Sequence, residues 1–111
     1  MKKFFLNFIN SVNGIKEALK EHSFISEVIG GFFLIPYIYF SSIDSLFKII
    51  ILTIFFLLLA FELLNTAIEK LSDKISKDFD SDIKKIKDLS SASVFLILII
   101  LVFLIILSFF L

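Results

Sequence analysis

The sequence predicts an all-α membrane protein, a single domain over residues 1–111 with three transmembrane helices and an N-terminal amphipathic surface helix. The chain is 59% hydrophobic, more apolar than a soluble domain of this length. Three stretches of about 20 apolar residues, each long enough to cross ~30 Å of hydrocarbon, lie at 24–43, 47–68 and 92–111. Backbone groups inside lipid must be hydrogen-bonded within their own segment, so these stretches are predicted to be helices.

The N-terminal segment, about 4–20, is predicted to form a helix that lies in the membrane interface. Its apolar residues recur at helical spacing: Phe4, Phe8, Val12, Ile15 and Leu19. A signal peptide does not fit, because asparagines interrupt the short apolar core and no small-residue cleavage site follows. A frayed tail is the remaining alternative.

The distribution of lysines predicts the orientation of the chain. Four lysines precede the first apolar stretch, six lie in the charged segment 70–88, and only Lys48 lies near the short loop between the first two stretches. Because cytoplasmic loops carry the excess of basic residues, the N-terminus and segment 70–88 are predicted to be cytoplasmic. That segment is predicted to continue the second helix out of the membrane and to turn near Phe79.

Composition excludes several classes of function. Eleven lysines balance eleven acidic residues, so the protein has no basic field that predicts a nucleic-acid partner. The absence of cysteine excludes disulfides and thiolate metal sites. No glycine-rich phosphate loop or protein-kinase motif occurs, so any nucleotide site is of an unusual kind.

Acidic residues near the cytoplasmic ends of the first two spans are the strongest candidates for chemistry. Glu27 and Glu62 lie inside spans, where an ionisable residue costs roughly 2.5–3.5 kcal/mol on insertion scales. Glu62, Asn65 and Glu69 share one helix face by their spacing. Glu21 precedes the first span on the same side. An alternative without a catalytic role stays open. In it the Glu27 side chain extends to the membrane interface or pairs with a lysine, and Asn65 only forms hydrogen bonds between helices.

This set of residues is suited to phosphoryl transfer to an alcohol in the membrane. Carboxylates can hold Mg²⁺ together with substrate phosphates, and a desolvated carboxylate can accept a proton from a hydroxyl group. Lys87 and Asp88 approach the same zone just before the third span, where a lysine can neutralise phosphate charge. A proton-coupled transporter is a competing hypothesis, although it needs carboxylates near the bilayer midplane. A purely structural membrane protein is a third.

Three short motifs resemble those of the prokaryotic diacylglycerol kinase family. Residues 62–69, Glu-Leu-Leu-Asn-Thr-Ala-Ile-Glu, closely resemble its signature E-[IL]-[LI]-N-[ST]-A-I-E. Glu21-His22-Ser23-Phe24 resembles its E-x-x-F element, and Lys87-Asp88 followed by Ser91-Ala92 resembles its K-D-x-x-[SA]-A element. The spacing between the blocks also fits, so the resemblance covers nearly the whole chain.

The resemblance implies a bacterial multi-pass enzyme of the cytoplasmic (inner) membrane. Family members are homotrimers with active sites shared between subunits. They transfer the γ-phosphoryl group of ATP, with Mg²⁺ as cofactor, to diacylglycerol and so form phosphatidic acid. One branch of the family prefers undecaprenol. That branch tends to lack an acidic residue at the position of Glu27, so Glu27 favours diacylglycerol here.

The resemblance also assigns roles to individual residues. Glu62 would be the general base, and Glu21 and Glu69 would hold Mg²⁺ and the nucleotide phosphates. The other expected nucleotide contacts are Asn65, Asp78, Asp80, Lys87 and Asp88. The expected lipid contacts, besides Glu62, are Ser23, Glu27, Lys48 and Ser91. The family often has E-Y-H where this chain has Asp78-Phe79-Asp80, so an imidazole is missing there.

Overall fold

The computed structural model describes residues 1–111 as four helices without any strand. In chain order the helices are α1 (Lys2–Ala18), α2 (His22–Phe40), α3 (Ser45–Ile75) and α4 (Ser81–Ser108). Three of them, α2, α3 and α4, are long and apolar enough to cross a membrane. The all-α fold class and the three candidate spans are therefore confirmed.

Helix α3 is the central element of the fold. It packs most extensively against α4, less against α2, and touches α1 at only a few positions. The buried core consists of apolar side chains from the three long helices: Leu34, Ile38, Ile51, Phe55, Leu58, Val94 and Leu101. In a bilayer such a core is stabilised by close packing, because lipid is as apolar as the side chains themselves.

The helix ends differ from the ends of the apolar stretches. Helix α2 ends at Phe40 and α4 at Ser108, each three residues before the end of the corresponding stretch. Polar side chains cap the starts of α3 and α4. Asp44 accepts a hydrogen bond from the backbone N–H of Leu46, and Asp80 caps α4 in the same way.

The charged segment 70–88 forms a helical hairpin. Helix α3 has 31 residues, which corresponds to roughly 46 Å and exceeds the ~30 Å of a hydrocarbon core. Its last turns, to Ile75, therefore project beyond the apolar span, and residues 76–80 connect them to α4. The turn predicted near Phe79 lies in this connection. The hairpin thus holds its charged side chains on two helices that pack side by side.

A hydrogen bond joins α2 to α4 at the end of the bundle that is remote from Glu62. Ser108 Oγ donates to the carbonyl of Ile105, and it lies 2.8 Å from the hydroxyl of Tyr37, which therefore donates to it. We expect Tyr37→Phe to lower the free energy of unfolding in detergent by ~0.6 kcal/mol, and by no more than about 1.7 kcal/mol. Tyr39→Phe is the matched control, since Tyr39 is exposed. Equal stability losses in the two variants would contradict this assignment.

Candidate active site

The polar face of α3 points into the protein. Glu62 and Asn65 are buried, with 5% and 8% of their surface exposed, whereas Leu64 between them is exposed. Asn65 Nδ2 donates a hydrogen bond of 3.1 Å to Oε1 of Glu69, one helical turn away. The structure thus brings Asn65 and Glu69 into contact and places Glu62 on the same face. Asn65 Oδ1 is buried and receives no hydrogen bond within the chain.

Glu27 joins this face from α2. Its carboxyl group faces that of Glu62 closely enough for the two to interact. Oε2 of Glu27 is buried and has no hydrogen-bond partner. Since buried polar atoms are nearly always hydrogen-bonded, we call this oxygen and Asn65 Oδ1 open, because the chain supplies neither with a partner. The two acidic residues of the spans therefore lie close together on adjacent helices.

A second group of charges lies where α1, α2 and α3 meet. Glu21 occupies the N-cap position of α2. The ammonium group of Lys70, on α3, lies 3.6 Å from a carboxylate oxygen of Glu21 and 3.6 Å from one of Glu17. Lys20, through a hydrogen bond and its charge, and then Lys70 hold the pKa of the Glu17 carboxyl below its usual range. Lys70 thus links Glu21 to the end of the Glu62–Glu69 motif.

Sequence reasoning missed Lys70. It belongs to the charged segment 70–88, where nothing in the composition distinguishes it from the other lysines. The signal that could have singled it out is its position directly after Glu69, on the same predicted side of the membrane as Glu21.

The α3–α4 hairpin carries the third group of charges. The ammonium group of Lys87 forms an ion pair with Asp73 of α3, and Lys84 forms one of 2.7 Å with Asp88 along α4. Lys87 and Asp88 are therefore paired within the hairpin and not with Glu62. The ion pair of Asp73 with Lys87 joins α3 to α4.

Asp78 and Asp80 lie in or beside the connection between α3 and α4. Oδ1 of Asp80 accepts hydrogen bonds from the backbone N–H groups of Asp82 and Ile83, at 2.9 and 3.1 Å, so Asp80 is the N-cap of α4. This structural role accounts for Asp80 without a nucleotide. Asp78 is exposed, and its carbonyl accepts a hydrogen bond from Ser76.

The remaining predicted lipid contacts are spread over the molecule. Ser23 and Ser91 are exposed, on α2 and α4. Lys48 precedes Glu62 by 14 residues on the continuous helix α3, which separates them by roughly 21 Å. The structure therefore does not bring Lys48 to the site around Glu62. From there it could meet only the distant part of a lipid that lies along the helix.

The donor atoms near Glu21 and Glu69 fit Mg²⁺. No three acidic or histidine side chains cluster as a complete metal site within one chain. Mg²⁺ does not require such a cluster, because it takes one or two carboxylates and completes its coordination with phosphates and water. The carboxylates of Glu21, at the N-cap of α2, and of Glu69, on α3, provide oxygen atoms of the hard kind that Mg²⁺ prefers.

Comparison of the sequence with known protein families finds one family that includes all of these residues. The family model described as prokaryotic diacylglycerol kinase matches residues 9–109, and so includes all the candidate residues from Glu21 to Ser91. No individual curated protein matches at a significant level. The match spans most of the 111-residue chain and all three candidate transmembrane helices. The chain therefore belongs to the prokaryotic diacylglycerol kinase family, a family of lipid kinases.

Proposed function

We propose that the protein phosphorylates diacylglycerol with Mg-ATP at the cytoplasmic surface of the membrane and forms phosphatidic acid. The observation that carries this proposal is the burial of Glu62 beside Glu27, on the helix face that also presents the Asn65–Glu69 pair. A lipid hydroxyl that reaches Glu62 from the bilayer would meet the nucleotide at this point. The N-terminus and the hairpin lie in the cytoplasm, as the lysine distribution favours.

In the proposed reaction Glu62 is the general base. It removes the proton of the lipid hydroxyl while the hydroxyl oxygen bonds to the γ-phosphorus of ATP. The bond between the γ-phosphorus and the β–γ bridging oxygen breaks, and ADP leaves. Glu21 and Glu69 would hold Mg²⁺, which neutralises phosphate charge when it is bound. Asn65 supports Glu69 through its hydrogen bond.

The site is proposed to be completed by other subunits of a homotrimer. In one chain Lys87 and Asp88 are paired with Asp73 and Lys84, and not with the Glu62 face. The buried oxygen of Asn65 also lacks a partner in its own chain. A neighbouring subunit could supply the hairpin residues that contact ATP, Asp78 among them.

The open oxygen of Glu27 supports diacylglycerol over undecaprenol as the acceptor. A protonated Glu27 can donate a hydrogen bond to an ester carbonyl, a group that diacylglycerol has and undecaprenol lacks. Ser23 and Ser91 would lie nearer the headgroup region, and Lys48 nearer the far ends of the acyl chains. Undecaprenol remains the second candidate, since it shares the hydroxyl that Glu62 would activate.

Label transfer from γ-labelled ATP in mixed micelles tests the proposal. With Mg²⁺ present, we expect label to enter diacylglycerol, and we expect a chelator to abolish the transfer. Label that enters only undecaprenol would keep the mechanism and replace the substrate. If folded protein labels neither lipid, the kinase proposal is wrong, and proton-coupled flux, the transporter hypothesis, should be measured next.

A further inference from the structure

Lys70 is the only cationic residue whose side chain contacts Glu21. Its ammonium group lies at the same distance, 3.6 Å, from Glu21 and from Glu17, and both distances exceed the about 2.7–2.9 Å of a charged hydrogen bond. The side chain of Lys70 is half exposed, and so are those of its two partners. Ion pairs of this kind contribute little to stability and exchange readily. Lys70 is therefore shared between two acids and bound firmly by neither.

Lys70 lies close to the residues proposed to hold Mg²⁺. It directly follows Glu69 on α3 and contacts Glu21, the two residues proposed to hold Mg²⁺. Phosphate oxygens on a Mg²⁺ ion lie about 2.1 Å from it. A long, flexible lysine side chain rooted next to one metal carboxylate and touching the other can reach those oxygens.

Lys70 is also one of the few links between α1 and α3. The two helices touch at only a few positions, and a groove of about 420 Å³ lies between them, with Gly14 and Ala18 on one side and Ala67 on the other. Lys70 and Glu17 both line this groove. If Lys70 left Glu17, α1 would lose its ion-pair contact with α3.

We propose that Lys70 is a further phosphate-binding residue and that it leaves Glu17 for the nucleotide when ATP binds. The proposal rests on the proposed function, because it requires Mg-ATP between Glu21 and Glu69. The multiply charged phosphates of ATP attract the ammonium group more strongly than a solvated carboxylate does. Nucleotide binding would then loosen the contact of α1 with α3.

Nucleotide affinity is the first test. We expect Lys70→Met to weaken the binding of Mg²⁺ with a non-hydrolysable ATP analogue by roughly 10- to 100-fold, measured by calorimetry on the full chain in detergent. Lys70→Arg should retain most of the affinity. Lys74→Met is the matched control, since Lys74 is an exposed lysine one turn further along α3, and we expect it to bind like the wild type.

Mobility of α1 is the second test, and it does not depend on turnover. The chain has no cysteine, so Asn13→Cys provides a single attachment point for a spin label on the exposed side of α1. In an otherwise wild-type chain, we expect the ATP analogue to make the label more mobile. In the Lys70→Met background, the label should be mobile from the start and insensitive to nucleotide.

The outcomes separate this inference from the proposed function. Equal nucleotide affinity in wild type and Lys70→Met overturns the inference alone. So does a label on α1 whose mobility nucleotide does not change. A wild-type chain that binds no Mg-ATP analogue overturns the proposed function and this inference with it. Weakened binding in Lys70→Met, with recovery in Lys70→Arg and loss of the nucleotide response of α1 in Lys70→Met, supports it, because a merely structural role would leave that response in place.

Discussion

Replacing Glu62 with Gln should lower kcat for lipid phosphorylation by roughly 10²- to 10⁴-fold, the range typical of a lost general base. Glutamine has nearly the same volume, so the buried position on α3 stays filled. Its amide cannot accept the proton of the lipid hydroxyl. The rate is to be measured by label transfer from γ-labelled ATP at saturating diacylglycerol and Mg-ATP.

Binding measurements distinguish a lost base from a lost site. Glu62 lies within the apolar part of α3, whereas Glu21 and Glu69, the proposed metal carboxylates, lie nearer the end of the bundle that carries the charged hairpin. We therefore expect Glu62→Gln to bind the ATP analogue with wild-type affinity. Asp82→Asn, which neutralises an exposed acid in the first turn of α4, should leave kcat within about twofold of wild type. Near-normal turnover in Glu62→Gln would exclude Glu62 as the base.

The Glu62 face could be predicted from the sequence because its geometry is local. Residues three, four and seven apart share a side of any α-helix, so Glu62, Asn65 and Glu69 had to align once α3 was assigned. The number of spans was equally accessible, since the length of an apolar stretch determines whether it can cross a bilayer. The predicted topology also placed Glu27 and Glu62 at similar depth in the membrane. The structure adds that their two carboxyl groups are close enough to interact.

The ion pairs between helices could not be predicted in this way. Lys70 with Glu17, Lys87 with Asp73, and the hydrogen bond between Tyr37 and Ser108 each join different helices. Their formation depends on how far each helix is rotated about its own axis, and hydrophobic periodicity specifies that rotation only loosely when a helix is apolar on every side.

The packing of α2 against α3 could not be predicted from the sequence either, because it also depends on how far each helix is rotated about its axis. Gly30 and Gly31 are neighbours in a membrane helix, and composition gives no reason to distinguish them. In the structure Gly31 is buried against the ring of Phe55, whereas Gly30 is exposed. Small residues allow membrane helices to approach closely. Gly31 therefore marks a point where α2 packs directly against the Phe55 ring of α3.

Gly31→Ala is therefore expected to lower the free energy of unfolding by ~1–3 kcal/mol, the usual cost of overfilling a packed core. A Cβ at position 31 would lie 2.9 Å from Cε2 of Phe55 and closer still to Cζ. The ring cannot simply move aside, because Phe55 is itself buried in the core. Unfolding in detergent, followed by the loss of helical circular dichroism, measures the effect.

Gly30→Ala is the matched control for the same chemical change. No atom lies within 4 Å of a Cβ at position 30, and alanine is favoured over glycine in a helix by up to about 1 kcal/mol. Gly30→Ala should therefore be as stable as wild type or more so. If Gly31→Ala is equally well tolerated, the two helices are not in tight contact at this point.

Shortening the ring tests the cause of the destabilisation directly. Phe55→Leu should lower stability by itself, because it leaves part of the core unfilled. In the Phe55→Leu background, however, the added methyl group of Gly31→Ala enters the vacated space. The double variant should then be more stable than the sum of the two single losses allows, by a coupling free energy of about 0.5–3 kcal/mol. Strict additivity would mean that the cost of Gly31→Ala arises away from Phe55. A coupling would therefore locate a close contact between α2 and α3 at a point one turn of α2 from Glu27 and two turns of α3 from Glu62.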